Sequence, residues 1–250
     1  MRFNRSSGSI LILALVGIAG VACPNSAKSQ TAQQAPPRYV RHDEHDPDGT
    51  GMFYMGREMA QVMGHEAADW LDRPEREAEE APSMLIKALK LKPGDVVADV
   101  GAGSGYLSLP MAKLVAPSGK VYAEDIQPEM LEIVGNKAQA AGIRNVVPLL
   151  GTITDPALPA QSVDLILMVD VYHEFDHPYE MTKAMVKALK KGGRLVFVEY
   201  RKEDPNVPIK LVHKMTVAQV RKEMSIFPLK WKETIGVLPR QHIIVFEKTQ

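Results

Sequence analysis

Hydrophobic residues in this chain first gather in one uncharged run, Ile10 to Ala22, behind Arg2 and Arg5. The run is too short to span a bilayer comfortably; with a basic flank before it and Gly20-Val21-Ala22 at its end, residues 1–22 read as a secretory signal peptide. Cys23 follows at once, so the leader is either cleaved and lipidated there, as in bacterial lipoproteins, or simply cleaved. Either outcome exports the body, to the periplasm or to a lipid anchor in the cell envelope. Across residues 23–50 apolar periodicity gives way to Pro, Gln, Ser and Asp, which predicts a disordered tether. His42-Asp43-Glu44-His45-Asp46 lies in it, but a flexible segment does not preorganise metal ligands.

Met55, Met59, Val62, Met63, Ala67, Trp70 and Leu71 then recur near a helical period, predicting an amphipathic helix within an N-terminal extension over residues 51–83. A second helical pattern, Met84 to Leu91, stops at Pro93-Gly94. Beyond it, Val96 to Val100, Val121 to Ala123, Asn145 to Leu150, Val163 to Val169 and Arg194 to Glu199 read as buried strands. Helices are expected after Gly105, from Pro128 to near Gly142, and from Pro178 to Lys191. This alternation predicts an α/β domain over residues 84–250, built on a doubly wound, mostly parallel sheet. Trp231 to Ile235 and His242 to Glu247 break the rhythm and read as an antiparallel C-terminal hairpin.

Composition removes several function classes. Thirty Lys and Arg balance thirty Asp and Glu, so no net field gathers nucleic acid, and a DNA or RNA partner is disfavoured. The single cysteine rules out an internal disulfide and a multi-thiolate metal site.

The first buried strand runs into Asp99-Val100-Gly101-Ala102-Gly103-Ser104-Gly105-Tyr106, a glycine-rich turn opening a helix, which lets backbone approach a nucleotide closely. The second ends in Glu124-Asp125, and Asp125 lies about twenty residues past Gly105, where a carboxylate can accept both ribose hydroxyls. Strand alternation turns Glu124 to the other face. A dinucleotide fingerprint would need glycine where Tyr106 stands, and no Gly-Lys-Ser/Thr follows for a triphosphate loop.

These features resemble the class I S-adenosylmethionine-dependent methyltransferases. The resemblance continues through Gly151-Thr152-Ile153, the strand Val163 to Asp170 and Leu189 to Arg194, covering about residues 84–250. It implies a seven-stranded Rossmann-like methyltransferase fold, S-adenosyl-L-methionine as cofactor, and in-line methyl transfer to a small-molecule or envelope-associated acceptor. It also implies cofactor contacts at Asp99, Gly101, Gly103, Gly105, Tyr106, Asp125 (to the ribose), Ile126, Thr152, Ile153 and Asp170. Relatives carry an acid on the adenine side where this chain has Thr152 and Ile153. Asp170 is either a cofactor contact or a helix cap.

The block from Tyr54 to Glu77 resembles the N-terminal region of an exported bacterial subgroup, and such extensions cover the acceptor site. Arg57, Trp70 and Arg76, with Tyr172 after the fourth strand, are therefore candidate acceptor contacts. If the acceptor must lose a proton, His173 is the candidate general base. His173-Glu174-Phe175-Asp176-His177 also spells the HExxH pattern of zinc hydrolases, but that pattern needs one helical face, and His177 precedes Pro178. No metal is expected. An exported binding protein that holds an adenosine ligand without turnover stays open as the alternative.

Overall fold

The computed structural model describes residues 38–250; the signal segment, Cys23 and the first part of the expected tether lie outside the described residues. Among the described residues ten strands form two sheets. β1 (Tyr39–Arg41), β2 (Gly49–Tyr54) and β3 (Arg57–Ala60) make a small antiparallel sheet. The large sheet comprises β4 (Val96–Val100), β5 (Lys120–Asp125), β6 (Val146–Leu150), β7 (Val163–Val169), β8 (Leu189–Tyr200), β9 (Leu229–Ile235) and β10 (Gln241–Lys248). Its order is β6-β5-β4-β7-β8-β10-β9, all parallel except β10, which runs antiparallel to both neighbours. The chain winds outward from β4 to β6, then returns to β7 on the other side of β4. That reversal opens a crevice at the carboxyl ends of β4 and β7, where α/β sheets bind their ligands.

Both faces of the central strands β4, β7 and β8 are buried, which is why they read as apolar runs, whereas the edge strands β6 and β9 are largely exposed. Side chains of alternate parity feed two cores. Val97, Leu165, Leu167, Val196 and Val198 pack against α3 (Pro82–Leu89) and α4 (Ser108–Val115). Ala98, Ile166, Met168, Leu195 and Phe197 pack against α6 (Pro178–Ala188) and α7 (Val217–Met224). The remaining helices are α1 (Ala68–Leu71), α2 (Arg76–Glu80) and α5 (Pro128–Ala140). Among the described residues no helix is long and apolar enough to cross a membrane.

Several boundaries differ from expectation, among them the start of β8, which pairs from Leu189 rather than Arg194. The tether predicted to run to residue 50 already contains β1 and the start of β2, because Tyr39 to Arg41 pair with Tyr54 to Met52. The helix expected from Met55 is instead a β-hairpin, Tyr54 pairing directly with Arg57 across Met55 and Gly56. Both turn residues have positive φ (49° and 89°), the primed geometry whose twist matches paired strands, and helix begins only with the 3-10 turn His65–Ala67 that leads into α-helix at Ala68. Met-Gly lacks the Asn-Gly signature of such turns, so the apolar spacing imitated a helix. Finally, α6 stops at Ala188 rather than Lys191, because Leu189 already pairs with Val163.

Candidate active site

A cavity of about 450 Å³ lies over the carboxyl ends of the parallel strands, within the size range of small-molecule pockets. Each strand contributes the residue that ends or follows it: Gly101 and Gly103 after β4, Asp125 and Ile126 after β5, Thr152 and Ile153 after β6, Asp170 and His173 after β7, Tyr200 from β8. The extension supplies Val62, Met63, Trp70, Leu71 and Arg76, and the segment between β8 and α7 supplies Pro208, Ile209, Lys210 and His213.

At one end the wall is backbone and carboxylate. Gly101 and Gly103 have φ of 70° and 53°, and a Cβ on either would overlap Val171 or Leu71 respectively, so this turn accepts only glycine without local rearrangement. Asp125 accepts from the Gly103 N–H at 2.9 Å and from the Gln127 N–H at 3.0 Å, which fixes its carboxylate at the cavity edge. Burial raises its pKa. Glu124, expected to face away, also lines the cavity: its side chain reaches the Gly101 N–H at 3.4 Å, and its other oxygen is buried with no partner. Burial, reinforced by the Asp125 charge, pushes its pKa up to about 8.

Asp170 sits at the reversal point with φ of 53°, a left-handed conformation that Asp tolerates better than most residues. Its Oδ2 accepts from Gln241 Nε2 at 2.6 Å, while Oδ1 is buried without a partner. It caps no helix, since the turn from Tyr172 to Glu174 begins after Val171. Burial, with Glu80 and Glu199 nearby, holds its pKa well above the carboxylate range. Asp170 lines the cavity, and its Oδ1 is a buried polar atom left unsatisfied there.

The other end gathers imidazoles and carboxylates. His173 Nδ1 lies 2.6 Å from Glu199 Oε2, and His173 Nε2 lies 3.1 Å from His213 Nδ1. Burial pushes the Glu199 pKa up to about 8, against the opposing charge of Arg57. Burial keeps His173 neutral, its pKa lowered to about 4, and raises that of Glu174 to about 7. Glu174 Oε2 accepts from the Met63 N–H at 3.4 Å. His177, the second histidine of the apparent HExxH pattern, stands apart at the start of α6 with its ring edge-on to Tyr39.

Several predicted residues lie elsewhere. Arg57 and Tyr172 do not line the cavity: both are buried and converge on Glu223 of α7, Arg57 Nε at 2.9 Å and Tyr172 Oη at 2.7 Å. Asp99 is buried behind the turn and accepts from Ser108 Oγ at 2.6 Å. Gly105 packs on Leu109 and Val134, and Tyr106 lies under Arg76, 4.7 Å from ring centre to guanidinium carbon. Arg76 does line the cavity, but its guanidinium is committed to Glu80 at 2.9 Å and the Leu71 carbonyl at 2.8 Å. Trp70 lines the cavity and is 44% exposed, stacked on Arg73. Sequence reasoning missed Glu199 and His213. A lone glutamate closing the apolar run Leu195 to Val198 was a readable signal for the first; nothing local marked the second.

The sheet order, the glycine turn and the acid ending the second parallel strand define a nucleotide-type cofactor site on a doubly wound fold. Residues 91–240 match the family described as Methyltransferase domain, and the chain belongs to this family. It is similar to the protein-L-isoaspartate O-methyltransferase of Ignicoccus hospitalis, 35% identical over 119 residues covering 46% of this chain and 54% of that protein. The enzyme of the same name from Aeropyrum pernix is 31% identical over 174 residues, 67% of this chain and 59% of the relative. The chain therefore spans a little over half the length of these curated relatives. In fold it is similar to a SAM-dependent methyltransferase from Aquifex aeolicus, with a TM-score of 0.71 at 24% identity over 75% of this chain and all of that one.

The family and fold imply S-adenosyl-L-methionine, and the residues present fit it. Asp125 would hold the ribose, Ile126, Met130 and Ile153 offer apolar surface for adenine, and the Gly101–Gly103 backbone and the unpartnered Asp170 oxygen suit the methionine part with its ammonium. Bound there, the cofactor supplies an electrophilic methyl group.

Proposed function

We propose that this chain transfers a methyl group from S-adenosylmethionine to an oxygen of a small molecule. The observation that carries this reading is the coincidence, around one cavity, of the glycine turn, the Asp125 carboxylate and Asp170. In-line displacement needs the acceptor aligned with the methyl and water kept out. The extension and the segment from Pro208 to His213 roof the cavity and supply that enclosure, Trp70 giving an aromatic face to the acceptor. An oxygen acceptor accords with the two O-methyltransferase relatives and with the cluster of His173, Glu174 and His213, where the acceptor's proton would leave.

Titration calorimetry with S-adenosylmethionine, and mass spectrometry of protein purified without added ligand, test the cofactor. Binding near 1:1 is expected; no binding of either the cofactor or its demethylated product overturns the reading. Transfer of labelled methyl to a panel of hydroxyl- and carboxyl-bearing molecules separates catalysis from passive binding.

We further propose export, supported by the sequence of residues 1–22, with Cys23 either lipidated or simply the first residue after cleavage. A fusion of residues 1–30 to a reporter active only outside the cytoplasm should be processed and active. An unprocessed cytoplasmic product overturns export.

A further inference from the structure

We propose that His173, Glu174 and His213 form a binding site for a divalent transition-metal cation of the zinc type, with an open coordination position facing the cavity. Three atoms converge: His173 Nε2, His213 Nδ1 and Glu174 Oε1, all within 4.8 Å of one another. Their separations are 3.1 Å between the two nitrogens, 3.9 Å from Oε1 to His173 Nε2 and 3.8 Å from Oε1 to His213 Nδ1. Ligands at about 2.0–2.2 Å from a tetrahedral zinc stand about 3.3–3.6 Å apart, so small side-chain adjustments close the triangle around an ion.

A simple hydrogen bond between the histidines explains only one side of that triangle. The other two are too long for hydrogen bonds, and they leave Glu174 Oε1 facing two ring nitrogens with neither bonded to it. One cation would satisfy all three atoms together.

The surroundings hold each ligand in a metal-binding attitude. Glu199 Oε2 engages His173 Nδ1 at 2.6 Å and leaves Nε2 facing His213; a carboxylate behind a ligating imidazole is the usual support for such a ligand. The Met63 N–H occupies Glu174 Oε2 and leaves Oε1 to the cluster. Arg57 holds the His173 carbonyl at 3.1 Å, fixing the backbone that carries both ligands.

Two imidazoles, one carboxylate and an open position make the donor set of a reactive rather than a sealed zinc site. All three ligands line the cavity, as do Phe175, Ile209 and Lys210 beside them. The ion itself stands on these ligands alone; its use as an anchor for the acceptor rests on the methyl-transfer reading. In that use an acceptor hydroxyl coordinates the ion and releases its proton to water. The oxygen then bonds to the methyl carbon while the carbon–sulfur electron pair returns to sulfur, giving the methyl ether and S-adenosylhomocysteine.

Chelator-treated full-length protein titrated with Co²⁺ should take up one equivalent, develop the visible absorption of a low-coordinate nitrogen and oxygen site, and lose it to Zn²⁺. His213→Ala, at a partly exposed position, and Glu174→Gln should each weaken uptake by more than the ~10–100-fold that losing a ligand's supporting hydrogen bond costs. Circular dichroism shows whether each variant is folded, so at least one informative arm remains. No stoichiometric uptake by the parent protein, or uptake unchanged in both variants, overturns the site. A parallel titration with S-adenosylmethionine keeps the two readings apart. Cofactor binding without Co²⁺ uptake overturns this inference alone; Co²⁺ uptake without cofactor binding supports the metal site and overturns the methyl-transfer reading with its acceptor role.

Discussion

Arg57 and Glu223 are 166 residues apart and form a buried ion pair at 2.9 Å that joins the N-terminal hairpin to α7. Tyr172 and Gln219 bond to the same carboxylate, at 2.7 and 2.8 Å, so the Glu223 charge is fully enclosed by donors. The extension is therefore part of the core as well as a wall of the cavity. Deleting residues 51–76 would unfold the domain rather than merely uncover the acceptor site.

Arg57→Ala strands a buried carboxylate and should cost about 3–5 kcal/mol. Urea denaturation read by circular dichroism measures it. A loss under 1 kcal/mol would show that the hairpin is a detachable cover.

Asp125→Ala should remove the charge-assisted hydrogen bonds to the ribose hydroxyls, each worth roughly 1.5–3 kcal/mol, so affinity for S-adenosylmethionine should fall by at least about tenfold. Because Asp125 also holds the Gly103 and Gln127 amides, Asp125→Asn is the companion variant: it keeps an acceptor oxygen but lacks the charge. Calorimetry reads both. Undiminished affinity in each would remove the ribose assignment.

Gly101→Ala places a methyl group on Val171 at a backbone φ of 70°. The left-handed conformation alone costs a non-glycine residue about 1–2 kcal/mol, and the overlap adds to it. A lower melting temperature with a parallel loss of cofactor affinity is expected. A variant that melts and binds as the parent does would mean that the turn need not approach the ligand closely.

Glu124 titrates near 8 in the folded state, against 4.5 for the free side chain, because it is buried beside Asp125. Folded protein thus holds a proton that unfolded chain releases. The stability from this group is full below pH 4.5, declines as pH rises, and is gone above about 8. Glu124→Gln, neutral throughout, should flatten that decline by an amount on the order of a few kcal/mol across the window. Urea midpoints at pH 5.5 and 8.5 for parent and variant decide it. Equal pH slopes in the two proteins would refute the assignment.

Much of the sheet was legible from local pattern. β4 and β7 fall at the limits that their apolar runs predict, and α5 begins at Pro128 as its proline at the first helical position predicts. The glycine turn and Asp125 could be read for the same reason, since a strand, a tight turn and a helix start are contiguous in the chain. The N-terminal hairpin was not legible, because its apolar residues fit a helical wheel and its Met-Gly turn carries no strong signature.

By itself the sequence determined the alternation of strand and helix, the doubly wound sheet and the cofactor end of the cavity, all set by neighbours in the chain. Only the tertiary structure decided the acceptor end. Residues 57, 172 and 223 meet in a buried charge cluster, and residues 199 and 213 meet the two ring nitrogens of residue 173, because the order β4-β7-β8-β10 places the ends of β7 and β8 side by side. Whether an arginine or a histidine faces a ligand or a buried carboxylate depends on what folds over it from 26 to 166 residues away, and no local periodicity encodes that distance.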